Sequence, residues 1–196
     1  MAAELNSGAV GAAILIGGQG RRFGGPKHTQ LVVDGHTAQE RATSILTRVL
    51  GAAPLLIGGL EHPDGRVGSG PLAGIETALL LAPWPLCIVV ACDLPGLDAG
   101  LLALLRDAPD DADVVVPAPR GQREPLCARW RRSAVGVVSQ ALDAEQRAVH
   151  RVMEQLVVCE LDDAHLQRGT ADPERALFNV NTREDLERFR SRSPPP

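Results

Sequence analysis

The chain contains no tyrosine, and three phenylalanines and two tryptophans are its only aromatic residues. Side chains on which nucleic-acid bases stack are therefore scarce. Acidic residues outnumber basic ones by 24 to 20, so the net charge is -4 and no general positive field would hold a polyanion. Both shortages argue against a nucleic-acid-binding protein. Any phosphate binding must then be local.

Paired cysteine motifs and long apolar runs are also missing. The four cysteines show no C-x-x-C spacing, and Cys87 lies in an apolar run, so we expect reduced, buried thiols in a cytoplasmic protein. The first apolar segment, residues 9–16, is too short to span a membrane and follows an acidic start. It predicts neither a transmembrane helix nor a secretory signal. The five histidines show no spacing typical of a zinc site or of a nucleophile–base pair.

Lysine is almost absent: Lys27 is the only one, and the other nineteen long cationic side chains are arginines. An ammonium group is a compact point charge that can touch several phosphate oxygens where a planar guanidinium does not fit. Lys27 closes a glycine-rich loop that also holds Arg21 and Arg22. The backbone amides of such a loop can approach an anion closely. The loop predicts a phosphate site, unless the lysine stands there by chance.

Two better-known phosphate loops do not match this segment. A P-loop needs serine or threonine after its lysine, but Lys27 is followed by His28. The dinucleotide-binding fingerprint needs a third glycine where Phe23 stands, and an acidic residue after the second strand, where the chain has Gly58 and Gly59. The sequence therefore disfavours both.

Short apolar runs alternate with segments of helical period along the chain. The predicted buried strands are residues 10–16, 54–57, 86–91 and 114–116, and the predicted crossover helices are 37–50, 71–81 and 97–106. The later part predicts an extended segment at 122–130, helices at 134–142 and 148–156, a strand at 156–161 and a helix at 183–190. This pattern predicts one α/β domain, residues 9–190, with a Rossmann-like three-layer α/β/α arrangement and a mostly parallel sheet. Residues 1–8 are expected to be flexible and 191–196 to form a disordered tail.

In such a sheet, ligands bind outside the carboxyl ends of the strands. Asp93 follows an apolar strand and would offer Mg²⁺ a hard oxygen ligand, or it is a turn residue before Pro95. Asn179 and Asn181 stand two residues apart, so on an extended segment both side chains could face one ligand. The next residue, Thr182, begins a helix-capping pattern, which gives this stretch a structural role as well.

Taken together, four motifs resemble the molybdenum cofactor guanylyltransferase branch (MobA type) of the nucleotidyltransferase family. The first loop is similar to the signature Leu-Ala-Gly-Gly-x-Ser-x-Arg-Met-Gly-x-x-Lys, with Ile16, Gly20 and Phe23 at its alanine, serine and methionine positions. The others are Gly-Pro-Leu-Ala-Gly at 70–74, Cys-Asp-Leu-Pro at 92–95 and Asn-Val-Asn-Thr at 179–182. The resemblance spans roughly residues 10–189 and implies a nucleotide-diphospho-sugar transferase-like fold.

The resemblance implies transfer of GMP from GTP to molybdopterin carrying molybdenum, with release of pyrophosphate and with Mg²⁺ as cofactor. Lys27 would neutralise the triphosphate, Arg22 would steady the leaving pyrophosphate, and Asp93 would hold the metal. Asn179 and Asn181 would line the acceptor side. The implied nucleotide-binding residues are Leu15, Ile16, Gly17, Gly18, Lys27, Asp64 and Asp93. Cofactor-delivery and acceptor proteins are implied as transient partners, with no nucleic acid and no membrane.

Asp64 matches the family's pattern only loosely, and Gly58-Gly59 stands where the family often carries an asparagine. Two alternatives therefore stay open. A cytidylyl or sugar-1-phosphate nucleotidylyltransferase would share the first loop and Asp93, although the Gly-Pro-Leu-Ala-Gly stretch argues against it. A non-catalytic nucleotide-binding subunit would retain the loop without turnover.

Overall fold

The computed structural model describes residues 9–17, 31–66 and 68–192. Six of the described strands form one sheet in the order β4-β1-β5-β7-β6-β8, and β2 pairs with β3 in a small hairpin. Strand β7 runs antiparallel to both of its neighbours, while the other pairs in the large sheet are parallel. The strand bounds are β1 (Val10–Leu15), β2 (Val32–Val33), β3 (His36–Thr37), β4 (Leu55–Ile57), β5 (Leu86–Ala91), β6 (Val114–Pro117), β7 (Cys127–Arg131) and β8 (Val158–Leu161).

The helices begin at the signals that local chemistry favours. Thr37 and Glu40 form a capping box at the first helix, and Thr182 and Asp185 form one at the last. Pro71 occupies the first turn of the second helix, where its missing N–H costs nothing. The α-helix bounds among the described residues are α1 (Ala38–Leu50), α2 (Pro71–Leu81), α3 (Ala99–Asp107), α4 (Val135–Asp143), α5 (Val149–Met153), α6 (Asp163–Gly169), α7 (Pro173–Ala176) and α8 (Arg183–Ser191).

Two apolar clusters cover the two faces of the sheet. Alternate residues of β1 enter different clusters: Ala13 packs with residues of α2, α4 and α5, whereas Ile14 packs with residues of α1, α3 and α6. Every residue of β5 is buried, as expected for a central strand covered on both faces. The predicted three-layer α/β/α fold with a mostly parallel sheet is thus confirmed.

Several boundaries differ from the sequence prediction. The helix expected at 148–156 ends at Met153, the strand expected from 156 begins at Val158, and the extended segment at 122–130 becomes a strand only from Cys127. Helices α6 and α7 were not predicted, because each is short and holds few apolar residues. Their signals were capping aspartates, since Asp162 accepts from the His165 N–H and Asp172 from the Arg175 N–H.

The carboxyl ends of β1, β4 and β5 lie side by side at one edge of the sheet. The loops that we predicted to bind ligands follow these strand ends, so they begin at this edge. The predicted flexible residues 1–8 and tail residues 193–196 lie outside the described part, and α8 ends at Ser191. No helix within residues 9–17, 31–66 or 68–192 is long and apolar enough to cross a membrane.

Candidate active site at the carboxyl edge of the sheet

The end of β1 is held between its two neighbouring strands. The Ile16 N–H donates to the Ile57 carbonyl at 2.8 Å, and the Cys92 N–H donates to the Leu15 carbonyl at 3.2 Å. The side chains of Leu15 and Ile16 are buried, at 8% and 7% exposure. Only the backbone of these residues is therefore suited to contact a ligand at this edge.

Gly17 and Gly58 approach each other more closely than any other residue type allows. A Cβ atom on Gly58 would lie 2.5 Å from the Gly17 Cα, and the φ of Gly58 is +89°. A side chain at Gly58 would therefore both collide and strain the backbone. An asparagine directly after β4 would not fit this backbone.

Asp64 lies against the glycines at the end of β1. Its Oδ2 is 3.0 Å from the position of a Cβ on Gly17, and its Oδ1 is 3.6 Å from that of a Cβ on Gly74 in α2. Partial burial raises the pKa of Asp64 above its ordinary value. The structure thus places Asp64 beside the backbone of Gly17, which was predicted to bind the nucleotide. A Cβ atom at Gly17 would fill the space between the two residues.

Hydrogen bonds and ion pairs fix the loop that carries Asp64. The Gly58 N–H donates to the His62 carbonyl at 2.7 Å, and the Gly65 N–H donates to the Thr77 hydroxyl at 3.2 Å. The Arg66 guanidinium binds Glu76 at 2.9 Å and Asp143 at 2.6 Å. Hydrogen bonds to Asp143 and Glu76 raise the pKa of Arg66. The carboxylate of Asp64 is consequently presented from an anchored loop.

Asp93 lies two residues beyond the end of β5. Its carbonyl accepts a hydrogen bond from the Val180 N–H at 2.9 Å, which brings the predicted asparagine segment to this strand end. Asn179 Oδ1 is buried, and no residue in the described part of the chain donates a hydrogen bond to it. A buried amide oxygen in that state calls for a partner, such as a ligand.

The two asparagines differ in surroundings. The Asn181 N–H donates to Asp185 Oδ2 at 3.0 Å, so its backbone belongs to the cap of α8, and the residue is exposed. The Thr182 hydroxyl and the Asp185 carboxylate complete that cap. The structural role is thus carried by residues 181–185, while the side chain of Asn179 has no part in the capping bonds.

Glu124 is a third acidic residue at this edge, and the sequence analysis missed it. It precedes β7, and its carboxyl group lies near enough to Asp93 for the charge of that residue to act on it. Burial first, and the charge of Asp93 second, raise the pKa of Glu124. The available signal was a lone glutamate before Pro125 and a strand, which by itself is too common to be informative.

Gly18, Arg22 and Lys27 lie outside the described residues, so their predicted roles stay predictions. Within the described ranges, no cluster of three or more histidine, cysteine, aspartate or glutamate side chains could hold a metal ion. Mg²⁺, however, commonly binds through one or two carboxylates together with substrate phosphates. Carboxylate oxygens at the end of β5 fit that cation.

Comparisons with known proteins agree with this geometry. The chain is 32% identical over 187 residues to a probable molybdenum cofactor guanylyltransferase of Pelotomaculum thermopropionicum, with 90% of each chain covered. It is 30% identical over 194 residues to a molybdenum cofactor guanylyltransferase of Desulfosudis oleivorans, covering 92% of this chain and 94% of that one.

A solved structure and a family model complete the comparison. The crystal structure of molybdopterin-guanine dinucleotide biosynthesis protein A from Archaeoglobus fulgidus matches with a TM-score of 0.73 at 25% identity, over 92% of this chain and 96% of that chain. Residues 12–161 match the model of the MobA-like NTP transferase domain. Because that match covers most of the chain, it confirms the resemblance drawn from the motifs: this protein belongs to the family of MobA-like NTP transferases.

Proposed function

We propose that this protein transfers GMP from GTP to the phosphate of the molybdopterin cofactor and releases pyrophosphate. The observation that carries the proposal is the position of the Asp64 carboxylate against Gly17, at the same sheet edge as Asp93. Relatives named as molybdenum cofactor guanylyltransferases support the choice of substrates.

Asp64 and the backbone of Leu15, Ile16 and Gly17 hold the guanine in this proposal. A guanine edge presents two neighbouring donors, N1–H and the N2 amino group, to which a carboxylate can bind with both oxygens. Cytosine offers a single amino donor on its corresponding edge. A carboxylate fixed beside the glycine backbone therefore favours guanine over cytosine.

Asp93 would hold Mg²⁺ through its carboxylate, and the cation supplies neutralisation of phosphate charge when it is bound. Lys27 and Arg22 would contact the triphosphate and the leaving pyrophosphate from the glycine-rich loop. Nucleotidyl transfer proceeds in line with little covalent help, so these charges act by positioning and electrostatic stabilisation. Asn179 and Asn181 would face the acceptor.

The proposed reaction places the protein in the cytoplasm, where GTP is available. Transient contacts with cofactor-delivery and acceptor proteins would pass its substrate in and its product on. Neither a nucleic acid nor a membrane has a part in this reaction.

Ligand-induced stabilisation tests the choice of nucleotide. A ligand that binds only the folded state raises the melting temperature, so GTP with Mg²⁺ should raise it more than CTP or UTP does. The exchange Asp64→Asn should weaken the GTP effect, and the exposed control Asp111→Asn should not. Stabilisation by CTP or UTP but not GTP would instead favour a cytidylyl or sugar-1-phosphate nucleotidylyltransferase.

Product analysis tests the reaction itself. Incubation with GTP, Mg²⁺ and molybdopterin should release pyrophosphate and give a product heavier by one GMP unit, which mass spectrometry detects. GTP binding without pyrophosphate release would identify a non-catalytic nucleotide-binding subunit.

Separate titrations test the acceptor side. Asn179→Ala should raise the KM for the pterin substrate and leave GTP affinity unchanged, because its amide oxygen is buried without a donor and the next residue, Val180, is bonded to the Asp93 carbonyl. Asn181→Ala should have the smaller effect, since the Asn181 backbone already serves the cap of α8. Equal loss of GTP affinity in either variant would move that residue to the nucleotide side.

A further inference from the structure

The loop that carries Asp64 joins β4 to α2, and its described residues, 58–66 and 68–70, form no helix or strand. The Asp64 carboxylate lies beside Gly17, Gly58 and Gly74, none of which has a side chain that could hold it. The direction in which this carboxylate points therefore depends on how the loop backbone is fixed. The fixing contacts come from the two residues that follow Asp64 in the chain.

Arg66 binds one carboxylate with two of its N–H groups. Its Nε donates to Glu76 Oε2 at 2.9 Å and its Nη2 donates to Glu76 Oε1 at 3.1 Å, which is the two-bond geometry of an arginine fork. A third group, Nη1, donates to Asp143 Oδ1 at 2.6 Å, at the end of α4. Two such bonds fix the plane of the guanidinium, which the ammonium of a lysine could not do. One side chain thus ties the loop to two helices.

Glu76 makes this tie specific for one position of the loop. It lies within α2 and is 5% exposed. A buried carboxylate that loses its cationic partner is strongly destabilised. Any arrangement of the loop that withdraws Arg66 takes two hydrogen bonds and a positive charge from Glu76. The pair with Asp143 adds much less, because the Asp143 side chain is 67% exposed.

The Thr77 hydroxyl holds the residue between Asp64 and Arg66. This hydroxyl donates to the Ala73 carbonyl at 2.9 Å, which leaves its oxygen to accept from the Gly65 N–H at 3.2 Å. Asp64 also lies against this turn of α2. Three consecutive loop residues are therefore set in register against one turn of a buried helix.

We propose that Arg66 is a positioning residue for nucleotide selection: bound to Glu76, it directs the Asp64 carboxylate toward guanine. This inference rests on the guanine-binding role of Asp64 in the proposed function and adds the residue that orients it. Binding the N1–H and the N2 amino group of guanine together requires a carboxylate placed to within about 0.5 Å. Arg66 thus affects the choice of base without touching the base.

Calorimetric titration with GTP and Mg²⁺ tests this role in the variant Arg66→Met, which keeps much of the apolar stem. Arg106→Met is the matched control, because Arg106 also binds a carboxylate with two N–H groups, at Asp107. Its side chain is 38% exposed, against 34% for Arg66. Arg66→Met should weaken GTP binding by at least roughly tenfold, and the control should leave it unchanged.

A double variant separates action through Asp64 from direct contact with the nucleotide. If Arg66 acts only by placing Asp64, then Asp64→Asn/Arg66→Met binds GTP no more weakly than Asp64→Asn alone, because the positioned group has already been changed. Losses that multiply in the double variant would show an independent contact and overturn the proposal. Full GTP affinity in Arg66→Met would overturn it as well.

Thermal unfolding without ligand separates positioning from general stability. Arg66→Met should lower the melting temperature, because it leaves Glu76 buried without its cation. Arg66→Met/Glu76→Gln removes both charges and should recover most of that loss. GTP affinity should stay low in this double variant, since the loop remains untied, and the variant also provides a readout if Arg66→Met fails to fold. Recovery of GTP affinity together with stability would mean that the pair serves only the fold.

Failure of this inference is distinguishable from failure of the proposed function. Full GTP affinity in Arg66→Met, combined with weak binding in Asp64→Asn, would overturn the role of Arg66 alone. Full GTP affinity in Asp64→Asn would overturn the guanine-binding role of Asp64 and this inference with it. Transfer of GMP is measured separately, by the pyrophosphate and mass assays.

Discussion

Two charged residues on neighbouring parts of one antiparallel segment, Arg129 within β7 and Glu124 before it, have very different surroundings. Arg129, within β7, is 1% exposed, and its guanidinium donates to the carbonyls of Arg106, Ala108 and Pro109 at the end of α3. Glu124, just before β7, is half-buried and lacks such partners among the described residues. The guanidinium of Arg129 is hydrogen-bonded within the chain, whereas the described residues offer the Glu124 carboxylate no hydrogen bond and its burial raises its pKa.

The partners of Arg129 explain why so buried a charge is tolerated. The last carbonyls of a helix have no partner within the helix, and Arg129 supplies donors to that end of α3. Asp110 lies 3.4 Å from the same guanidinium. Burial lowers the pKa of Arg129, although an arginine stays protonated in proteins. Within residues 9–17, 31–66 and 68–192, no comparable set of hydrogen bonds reaches the carboxylate of Glu124.

The largest expected effect is on stability at Arg129. Arg129→Met keeps much of the apolar stem but leaves three carbonyls without their donor, so we expect a loss of about 3 kcal/mol in the free energy of unfolding. Urea denaturation measures it. The exposed control Arg151→Met should stay within about 0.5 kcal/mol of the unaltered protein. If Arg129→Met loses no more unfolding free energy than the control does, the buried hydrogen bonds of Arg129 do not stabilise the fold, and the contrast with Glu124 fails.

Asp93 should show the reverse pattern, with a loss of turnover and little loss of stability. Asp93→Ala removes a carboxylate from the proposed metal site but keeps the backbone carbonyl that binds Val180. We expect the rate of GMP transfer to fall by about 100-fold or more, which corresponds to about 2.7 kcal/mol. Steady-state kinetics at saturating Mg²⁺ measures the rate. Near-normal turnover would make Asp93 a turn residue only.

Lys27 is expected to supply a cation from the glycine-rich loop to the same edge. Lys27→Arg keeps the charge but replaces a point donor with a planar fork, so kcat/KM should fall by about tenfold, or about 1.4 kcal/mol. Kinetic titration with GTP measures this loss, and Arg48→Lys on α1 serves as a conservative control. Full activity of Lys27→Arg would show that the lone lysine reflects composition rather than function.

The smallest effect concerns the pH dependence of stability at Asp64. Burial raises its folded-state pKa above the ordinary value of 3.8, so the unfolded chain loses this proton first as pH rises. Asp64 therefore lowers stability progressively between its unfolded and folded pKa values, and fully above both. Asp64→Asn should gain stability relative to the unaltered protein across that interval. Urea titrations at a series of pH values would reveal a flat difference if Asp64 were fully solvated.

Periodicity and turn residues were sufficient to predict the main strands and the first three large helices. Buried strands such as β5 are continuous apolar runs, and α2 starts at a proline, so local sequence carries their boundaries. Helices α6 and α7 were not predicted, because they are short and depend on capping aspartates. The end of α5 at Met153 and the start of β8 at Val158 were not predicted, because tertiary packing rather than periodicity ends those two elements.

The residues of the candidate site also divide into those that local sequence predicts and those that only tertiary contacts reveal. Asp93 and the asparagine pair could be proposed as site residues because each follows a recognisable pattern in the sequence. Asp64 was only loosely matched and Glu124 was missed, because what places them is contact with Gly17 and the register of β5 against β7. Neither contact has a counterpart in local sequence.

The sequence by itself determined the α/β fold, the family and the strand ends at which polar residues accumulate, because hydrophobic period and motif order are local properties. Tertiary structure alone decided which of those residues meet. Asp64 reaches Gly17 because two glycines allow backbones to touch, and Glu124 comes within reach of the charge of Asp93 because β7 returns antiparallel beside β5. The surroundings of a buried charge, such as the carbonyls that bind Arg129, depend on neighbours that are distant along the chain.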